Sequence, residues 1–206
     1  MRVRVAYAGG PGAFAEEACR DFLPGHETVP CPDFAAVAEA VLDGTAELGM
    51  LPLDNSTAGP VPGVADLIAR SGLALAATRA SRIRLHLLGA PGAHLDAVRV
   101  AASHPMALAQ CGAALDALGL GREPAASTAD AARRVADAGD SALAALASEC
   151  AATLYGLEVL RRDMQDRADN ATTFGVIRRV GVTRLGGHRL AVAPPYNPRV
   201  AKRSFA

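Results

Sequence analysis

Two adjacent hydroxyls and an amide stand just before an apolar segment late in the chain. Residues 166–174 read Asp-Arg-Ala-Asp-Asn-Ala-Thr-Thr-Phe, and Gly-Val-Ile follows. The apolar residues predict a strand, in which the side chains of Thr172 and Thr173 point to opposite faces. One of the two hydroxyls can therefore form a hydrogen bond with a ligand. On this segment alone, a strand whose hydroxyls bond only neighbouring backbone groups stays an open alternative.

Two further polar segments also follow apolar ones. Residues 54–57 (Asp-Asn-Ser-Thr) come after one predicted strand, and Ser103 and His104 come after another. Each has a structural alternative, because Asn55 and Ser56 are common turn formers and Ser103 could cap a helix. In open α/β sheets, however, the carboxyl ends of strands line the ligand crevice. The recurrence of such segments favours a small-molecule site.

The composition excludes several classes of partner. Half of the 206 residues are apolar, so the chain can bury a core as one domain or two small lobes. Lysine plus arginine equals aspartate plus glutamate at 21 each, and the chain has no tryptophan and three tyrosines. Neither a basic field nor the aromatic surface typical of nucleic-acid binders is present. We therefore expect a small-molecule partner, no nucleic acid and no membrane.

The cysteines and the N-terminus indicate a reduced, cytoplasmic protein. The four cysteines are Cys19, Cys31, Cys111 and Cys150. They form no C-x-x-C pair, so no zinc or redox motif is predicted. Residues 1–8 alternate arginine and valine as a strand does, unlike a signal peptide. No apolar run approaches the roughly 18 residues of a membrane span.

These polar segments are positioned by alternating strands and helices. A strand over residues 3–8, a Gly/Pro turn over 9–12 and a helix over 14–22 begin the pattern. Further elements are predicted over residues 34–43, 48–53, 64–69, 74–77, 83–88, 98–102, 106–118, 129–138, 141–147, 149–155 and 157–160. Thr128 is the expected N-cap of the helix that follows it. The alternation predicts an α/β fold with a mainly parallel sheet.

The polar segments also carry a resemblance. The matching residues are Tyr7, Gly9, Gly12 and Phe14, then Leu-Pro-Leu-Asp-Asn-Ser at 51–56, His-Leu-Leu at 86–88, Ser-His-Pro at 103–105, Tyr-Gly-Leu at 155–157, and Asn170, Thr172 and Phe174. In this order they resemble the catalytic domain of prephenate dehydratase over nearly all of residues 3–178.

The resemblance implies a fold, an activity and a domain plan. The family's catalytic domain has two α/β lobes, similar to type II periplasmic binding proteins, with the active site in the cleft between them. It converts prephenate to phenylpyruvate, water and carbon dioxide without a metal or cofactor. Here the domain would cover residues 1–180, with lobe 1 at about 1–78 plus 165–180 and lobe 2 at about 79–161. Residues 181–206 would form a basic Gly/Pro-rich tail in place of the regulatory ACT domain, and a homodimer is one candidate oligomer.

The resemblance also assigns roles to site residues. Thr172 matches the family's catalytic threonine, which would donate a hydrogen bond to the leaving hydroxyl. The residues expected to bind substrate are Asn55, Ser56, Ser103, His104, Gln110, Asn170, Thr173 and Phe174. No residue is assigned to a metal or cofactor.

One departure from the family leaves the reaction open. The motif Thr-Arg-Phe reads Thr-Thr-Phe at residues 172–174, so a cation expected to pair a carboxylate is missing. The candidate substitutes are Arg79, Arg82, Arg84 and Arg167. A prephenate dehydratase is the first hypothesis. The alternatives are an arogenate dehydratase, a prephenate decarboxylase that does not aromatise its substrate, and a non-catalytic protein that binds a carboxylate metabolite.

Overall fold

A computed structural model describes residues 2–181, 184, 185, 188 and 189. The chain divides into two compact units. Unit 1 consists of Met1–Ala8, Ala18–Ser81 and Ala171–Ala206, and unit 2 consists of Gly9–Glu17 and Arg82–Asn170. The tail predicted for residues 181–206 lies largely outside the described residues.

The helices and strands alternate as the sequence predicts. The strands are β1 (Arg4–Ala8), β2 (Glu27–Cys31), β3 (Leu48–Asn55), β4 (Gly59–Pro60), β5 (Leu73–Arg82), β6 (His86–Gly89), β7 (Val100–Ser103), β8 (Gly121–Pro124), β9 (Leu143–Ala147), β10 (Glu158–Arg161), β11 (Ala171–Arg179), β12 (Arg184–Leu185) and β13 (His188–Arg189). The α-helices are α1 (Phe14–Phe22), α2 (Phe34–Asp43), α3 (Val64–Ser71), α4 (Pro105–Gln110), α5 (Gly112–Ala117), α6 (Thr128–Ala138) and α7 (Glu149–Tyr155). Within the described residues, no helix has the length and apolar character needed to cross a membrane.

The sheet of unit 1 carries β11, the strand that the threonine motif opens. Its strand order is β2-β1-β3-β11-β5, with β4 paired to β3. Strand β1 runs parallel to β2 and β3, whereas β11 runs antiparallel to β3. One face of this sheet packs against α2 and α3 through Leu51, Leu53 and Ile177 among others.

The sheet of unit 2 has the order β10-β6-β9-β7-β8. Strand β7 is parallel to β8 and β9, and β6 is antiparallel to β9 and β10. Its core is rich in alanine, and α6 buries Ala129, Ala131, Ala132 and Val135 against it. The α/β class in two parts is confirmed, but the expected mainly parallel sheet is wrong, because both sheets are mixed.

Three local features differ from the sequence prediction. The helix predicted over 106–118 is interrupted at Cys111, and the Asp166 carboxylate accepts hydrogen bonds from Ala113 N (3.1 Å) and Ala114 N (3.3 Å) at the start of the second segment. The N-cap of α6 is Ser127, whose Oγ accepts from Asp130 N at 3.0 Å, and not Thr128. Strands β2 and β8 were not predicted, because each contains proline and charged residues in place of an apolar run.

The Gly/Pro turn after β1 groups with unit 2, whereas the sequence placed it in the first lobe. Ser148 Oγ donates to Gly12 O (2.9 Å), and Tyr155 OH donates to Pro11 O (2.8 Å). Gly12 has a φ of +86°, and a Cβ there would lie 3.1 Å from Cα and Cβ of Ala151. Glycine at this position therefore allows both the positive φ and the close approach to α7.

Candidate functional site

Thr172 lies opposite Asn55 in the antiparallel pair of β11 and β3. The Thr172 side chain is largely buried, with 8% of the residue exposed, and its Oγ1 accepts a hydrogen bond from Asn55 Nδ2 at 3.0 Å. Thr172 is therefore oriented by a side chain of the neighbouring strand. Because that bond uses an oxygen lone pair, the hydroxyl proton points away from Asn55 and can be donated.

The orientation of the Asn55 amide follows from its other hydrogen bonds. Asn55 Oδ1 accepts from Thr57 N (3.0 Å), Thr57 Oγ1 (2.6 Å) and Ala58 N (3.0 Å). A flipped amide would place its NH₂ group against the two backbone donors, so the nitrogen must face Thr172. Nδ2 also donates to Ala171 O at 3.2 Å. Both amide hydrogens thus bond groups of unit 1, and the contact of Asn55 with a substrate stays a prediction.

A β-bulge brings Asn55 opposite Thr172. The register changes from Phe174 opposite Pro52 to Thr173 opposite Asp54, so Leu53 is an extra residue on β3. Leu51 and Leu53 both lie in the core beside α2 and α3, and strict alternation would place Asn55 on that same face. The bulge turns Asn55 to the face of Thr172.

Ser56 closes the end of the β3–β11 pair. Its backbone N donates to Ala171 O (2.8 Å), and its Oγ accepts from Ala171 N (2.9 Å). The hydroxyl proton is directed away from that amide, and the residue is exposed. Ser56 therefore joins the ends of β3 and β11, and its contact with a substrate stays a prediction.

The two residues after Thr172 differ in their surroundings. Thr173 is half-buried opposite Asp54. Phe174 is 3% exposed, and its ring packs edge-to-face on Phe22 with centroids 6.4 Å apart and an interplanar angle of 70°. Phe174 thus acts as a core residue that supports β11, and the geometry does not favour the predicted substrate contact.

In unit 2, Ser103 and His104 lie at the junction of β7 and α4. Ser103 is fully buried and its Oγ donates to Leu146 O at 2.6 Å, so its proton is not available to a carboxylate. His104 is exposed and caps α4, with Nδ1 accepting from Met106 N at 3.2 Å. Ser103 therefore ties β7 to β9, and His104 is the one of the two that solvent can reach.

Asn170 and Gln110 are brought together by the chain that enters β11. Asn170 is 1% exposed, and its Nδ2 donates to Gln110 Oε1 at 3.1 Å. The Gln110 carbonyl oxygen faces Asn170, and its backbone O accepts from Asp166 N at 2.8 Å. The two amides thus form a part-buried, hydrogen-bonded pair at the end of α4.

The four candidate cations have different partners. Arg82 Nη2 donates to Ala168 O (2.9 Å), and Arg167 forms two hydrogen bonds with Asp169 (3.0 and 2.7 Å), which lower the pKa of that carboxyl. The positive charge of Arg84 contributes to lowering the pKa of His86 and of Glu149. The Arg79 guanidinium lies over the ring of Phe22, with Cζ 4.9 Å from the centroid.

Comparison with known proteins identifies the family. The model of the prephenate dehydratase family matches residues 5–181. The chain belongs to the prephenate dehydratase family. Members of this family are lyases, and the sequence resemblance is confirmed.

Three relatives show how far the likeness extends. A bifunctional N-acyl-homoserine lactone acylase/prephenate dehydratase from Komagataeibacter europaeus is 40% identical over 94% of this chain and 66% of its own length. Arogenate dehydratase/prephenate dehydratase 2 from Arabidopsis thaliana is 40% identical over 86% of this chain and 47% of its own length. The crystal structure of prephenate dehydratase from Arthrobacter aurescens, in complex with L-Phe, has a TM-score of 0.80 at 27% identity and covers 89% of this chain and 62% of that one. The chain thus spans about half to two thirds of these proteins.

Cys111 and His86 are two further titratable side chains, and both are buried. Burial raises the pKa of Cys111 to about 12, so this thiol is not a nucleophile near neutral pH. Burial lowers the pKa of His86, whose Nδ1 accepts from Asp163 N at 3.1 Å. Among the described residues, no group of three or more His, Cys, Asp or Glu side chains could hold a metal ion.

Ser148 links α7 to the Gly/Pro turn, a role that was not predicted from the sequence. Its Oγ accepts from Ala151 N (3.0 Å) as the N-cap of α7 and donates to Gly12 O (2.9 Å). The signal was present, since a serine that directly precedes a helix is a common N-cap. Its second bond, to a residue 136 positions away, has no local signature.

Proposed function

We propose that this protein is a prephenate dehydratase that converts prephenate to phenylpyruvate, water and carbon dioxide. The observation that carries the proposal is the hydrogen bond from Asn55 Nδ2 to Thr172 Oγ1 (3.0 Å), which orients the threonine hydroxyl. It occurs in a chain of the prephenate dehydratase family.

The reaction requires a donor more than a strong acid. The bond between the ring and its carboxylate breaks and releases carbon dioxide, its electron pair moves into the ring, the ring C–O bond breaks, and the oxygen leaves as water after it takes a proton from solvent. Formation of an aromatic ring drives this elimination, so the enzyme contributes most by stabilising the developing charge on the leaving oxygen. Thr172 donates a hydrogen bond to that oxygen. Its hydroxyl is a very weak acid, so it polarises the leaving group and does not itself titrate.

Asn55 makes Thr172 a better donor. A hydroxyl that accepts a hydrogen bond is polarised, and its own donated bond becomes stronger. The amide of Asn55 is held by Thr57 and Ala58, so Thr172 is oriented before substrate binds. Such preorganisation is worth more than an equivalent donor that must first be ordered.

A further contact with the substrate is proposed for Ser56, which lies in unit 1 with Thr172. The contacts expected of Thr173, His104, Gln110 and Asn170 stay predictions. Ser56 and His104 are exposed, and Thr173 is half-buried. Their hydroxyl, imidazole and amide groups can bond carboxylate and keto oxygens. No cofactor is required for this chemistry.

Incubation of the purified protein with prephenate tests the proposal. Phenylpyruvate absorbs in alkali, whereas the non-aromatic product of a simple decarboxylase does not. We expect phenylpyruvate from the unaltered protein and a large loss of rate in Thr172→Ala. Thr153→Ala, which removes an exposed hydroxyl on α7, is the matched control and should retain the rate. Prephenate that binds but stays unchanged would show a non-catalytic binding protein.

A second candidate activity comes from the Komagataeibacter relative, which is 40% identical and is named as an acylase as well. That activity would add water across the amide bond of an N-acyl-homoserine lactone and release a fatty acid and the amine. Mass spectrometry of such a lactone after incubation with the protein would detect both products. If neither product forms, this candidate is excluded.

A further inference from the structure

We propose that Arg79 binds the side-chain carboxylate of the substrate and so supplies the cation that residues 172–174 lack. This inference rests on the proposed function, because it is the dianion prephenate that requires a cation. A substrate carboxylate gives up its hydration shell when it binds, and without a cation this desolvation would weaken the binding of prephenate. A guanidinium can pair the carboxylate with charge-assisted hydrogen bonds.

Two contacts that involve aromatic rings connect Arg79 to β11, the strand of Thr172. The Arg79 Cζ lies 4.9 Å from the centroid of the Phe22 ring, and that ring packs on Phe174 with centroids 6.4 Å apart. Phe174 and Thr172 are alternate residues of β11, so their side chains share a face and their Cα atoms are about 7 Å apart. The Arg79 guanidinium is thus held over the Phe22 ring, which packs against the face of β11 that carries Thr172 and Phe174.

The guanidinium of Arg79 has donors available. Its side chain is exposed, and among residues 2–181 its one assigned contact is the Phe22 ring. A cation held over a ring is attracted through its charge, which leaves its N–H donors for a planar carboxylate. By contrast, Arg82 and Arg167 already donate to Ala168 O and to the Asp169 carboxylate.

The chemistry decides which carboxylate Arg79 binds. The ring carboxylate leaves as neutral carbon dioxide, so a cation paired with it would stabilise the ground state more than the transition state. The side-chain carboxylate keeps its charge throughout and can be bound equally in both states. The side-chain carboxylate lies at the far end of the substrate from the ring hydroxyl. Similarly, the rings of Phe22 and Phe174 lie between Arg79 and Thr172.

Binding of prephenate to a protein that cannot turn it over tests this role. In the Thr172→Ala protein, calorimetry gives the dissociation constant for prephenate without conversion. Adding Arg79→Gln should weaken binding roughly 10- to 100-fold, which is the range for loss of a charge-assisted hydrogen bond. Adding Arg79→Lys should recover part of the affinity, because it keeps the charge and loses the planar fork. In the protein with Thr172, Arg79→Gln should raise KM and leave kcat nearly unchanged.

The controls separate this proposal from the proposed function. Arg70→Gln removes an exposed arginine in the last turn of α3 and should leave the dissociation constant unchanged. Equal affinity of the proteins with and without Arg79→Gln would overturn the role of Arg79, while phenylpyruvate formation would still support the dehydratase. A tenfold loss on Arg84→Gln and none on Arg79→Gln would move the cation to Arg84 and also overturn the proposal. If the unaltered protein neither binds nor converts prephenate, both proposals fail.

Discussion

Asn55→Asp is the substitution that best tests how Thr172 is activated, because it changes one NH₂ group to an oxygen. The carboxylate can still accept from Thr57 N, Thr57 Oγ1 and Ala58 N as the amide oxygen does. It can no longer donate to Thr172 Oγ1 or Ala171 O. The Thr172 hydroxyl would instead donate a hydrogen bond to the new carboxylate, and the leaving oxygen of the substrate would lose its hydrogen-bond donor.

The structure sets the expected size of the effect. Loss of one preorganised donor to a developing oxyanion typically lowers kcat about 10²- to 10³-fold. The new carboxylate also faces the carbonyl of Ala171, previously 3.2 Å from the amide nitrogen. Two acceptors left facing each other should lower the free energy of unfolding by about 1–3 kcal/mol. The variant should therefore fold, with reduced stability, and show a much lower kcat.

The assay is the rate of phenylpyruvate formation at saturating prephenate over a range of pH. The new carboxyl group is ionised near pH 7, and once protonated it can donate again. The deficit in kcat should thus narrow as the pH falls from about 7 to about 5, towards the ordinary aspartate pKa of about 3.9.

The double variant supplies the refuting result. If Asn55 acts through Thr172, then Asn55→Asp should add little to the loss already caused by Thr172→Ala. Full additivity of the two effects would show that Asn55 contacts the substrate directly, and a kcat unchanged in Asn55→Asp would show that its hydrogen bond plays no part.

Three further predictions concern other residues. Thr173→Arg should tighten prephenate binding, measured as a lower KM, and an unchanged KM would place this position away from the substrate. Gly12→Ala should lower the free energy of unfolding by about 1–3 kcal/mol in urea denaturation, because a non-glycine residue at a φ of +86° is strained and its Cβ would crowd Ala151 at 3.1 Å. Burial lowers the pKa of His86, so the unfolded chain binds its proton more readily than the folded protein. The free energy of unfolding should therefore decrease as the pH falls below about 6.5, and His86→Asn should reduce that decrease, whereas an unaltered pH dependence would assign it to other groups.

The class of fold and the position of the threonine motif could be predicted from the sequence, because both depend on local patterns. Alternating apolar segments separated by helix caps indicate α/β, and the residues before Gly175 had to begin a strand. The direction of that strand in its sheet has no local signature. It depends on pairing with β3, which lies more than a hundred residues earlier in the chain.

The roles of individual polar residues were harder to predict, since they depend on partners that are distant in sequence. Ser103 was expected to bind substrate, but its proton is donated to Leu146 O. Phe174 was expected to contact substrate, but Phe22 covers its ring. Asn55 was expected to donate to a carboxylate, and its hydrogens are instead used by Thr172 and Ala171. In each case the residue type was informative about polarity or size, but only the packing shows which group it contacts.

The β-bulge at Leu53 has a chemical consequence. Uninterrupted pairing from Phe174 opposite Pro52 would place Asp54, and not Asn55, opposite Thr172. An aspartate there would accept the threonine proton, whereas the asparagine donates to the threonine oxygen. One extra backbone residue therefore decides whether the Thr172 hydroxyl donates its hydrogen bond to the side chain opposite or accepts one from it and keeps its own donor for another group. A slip of β3 by a single position would reverse the direction of this hydrogen bond without any change in amino-acid composition.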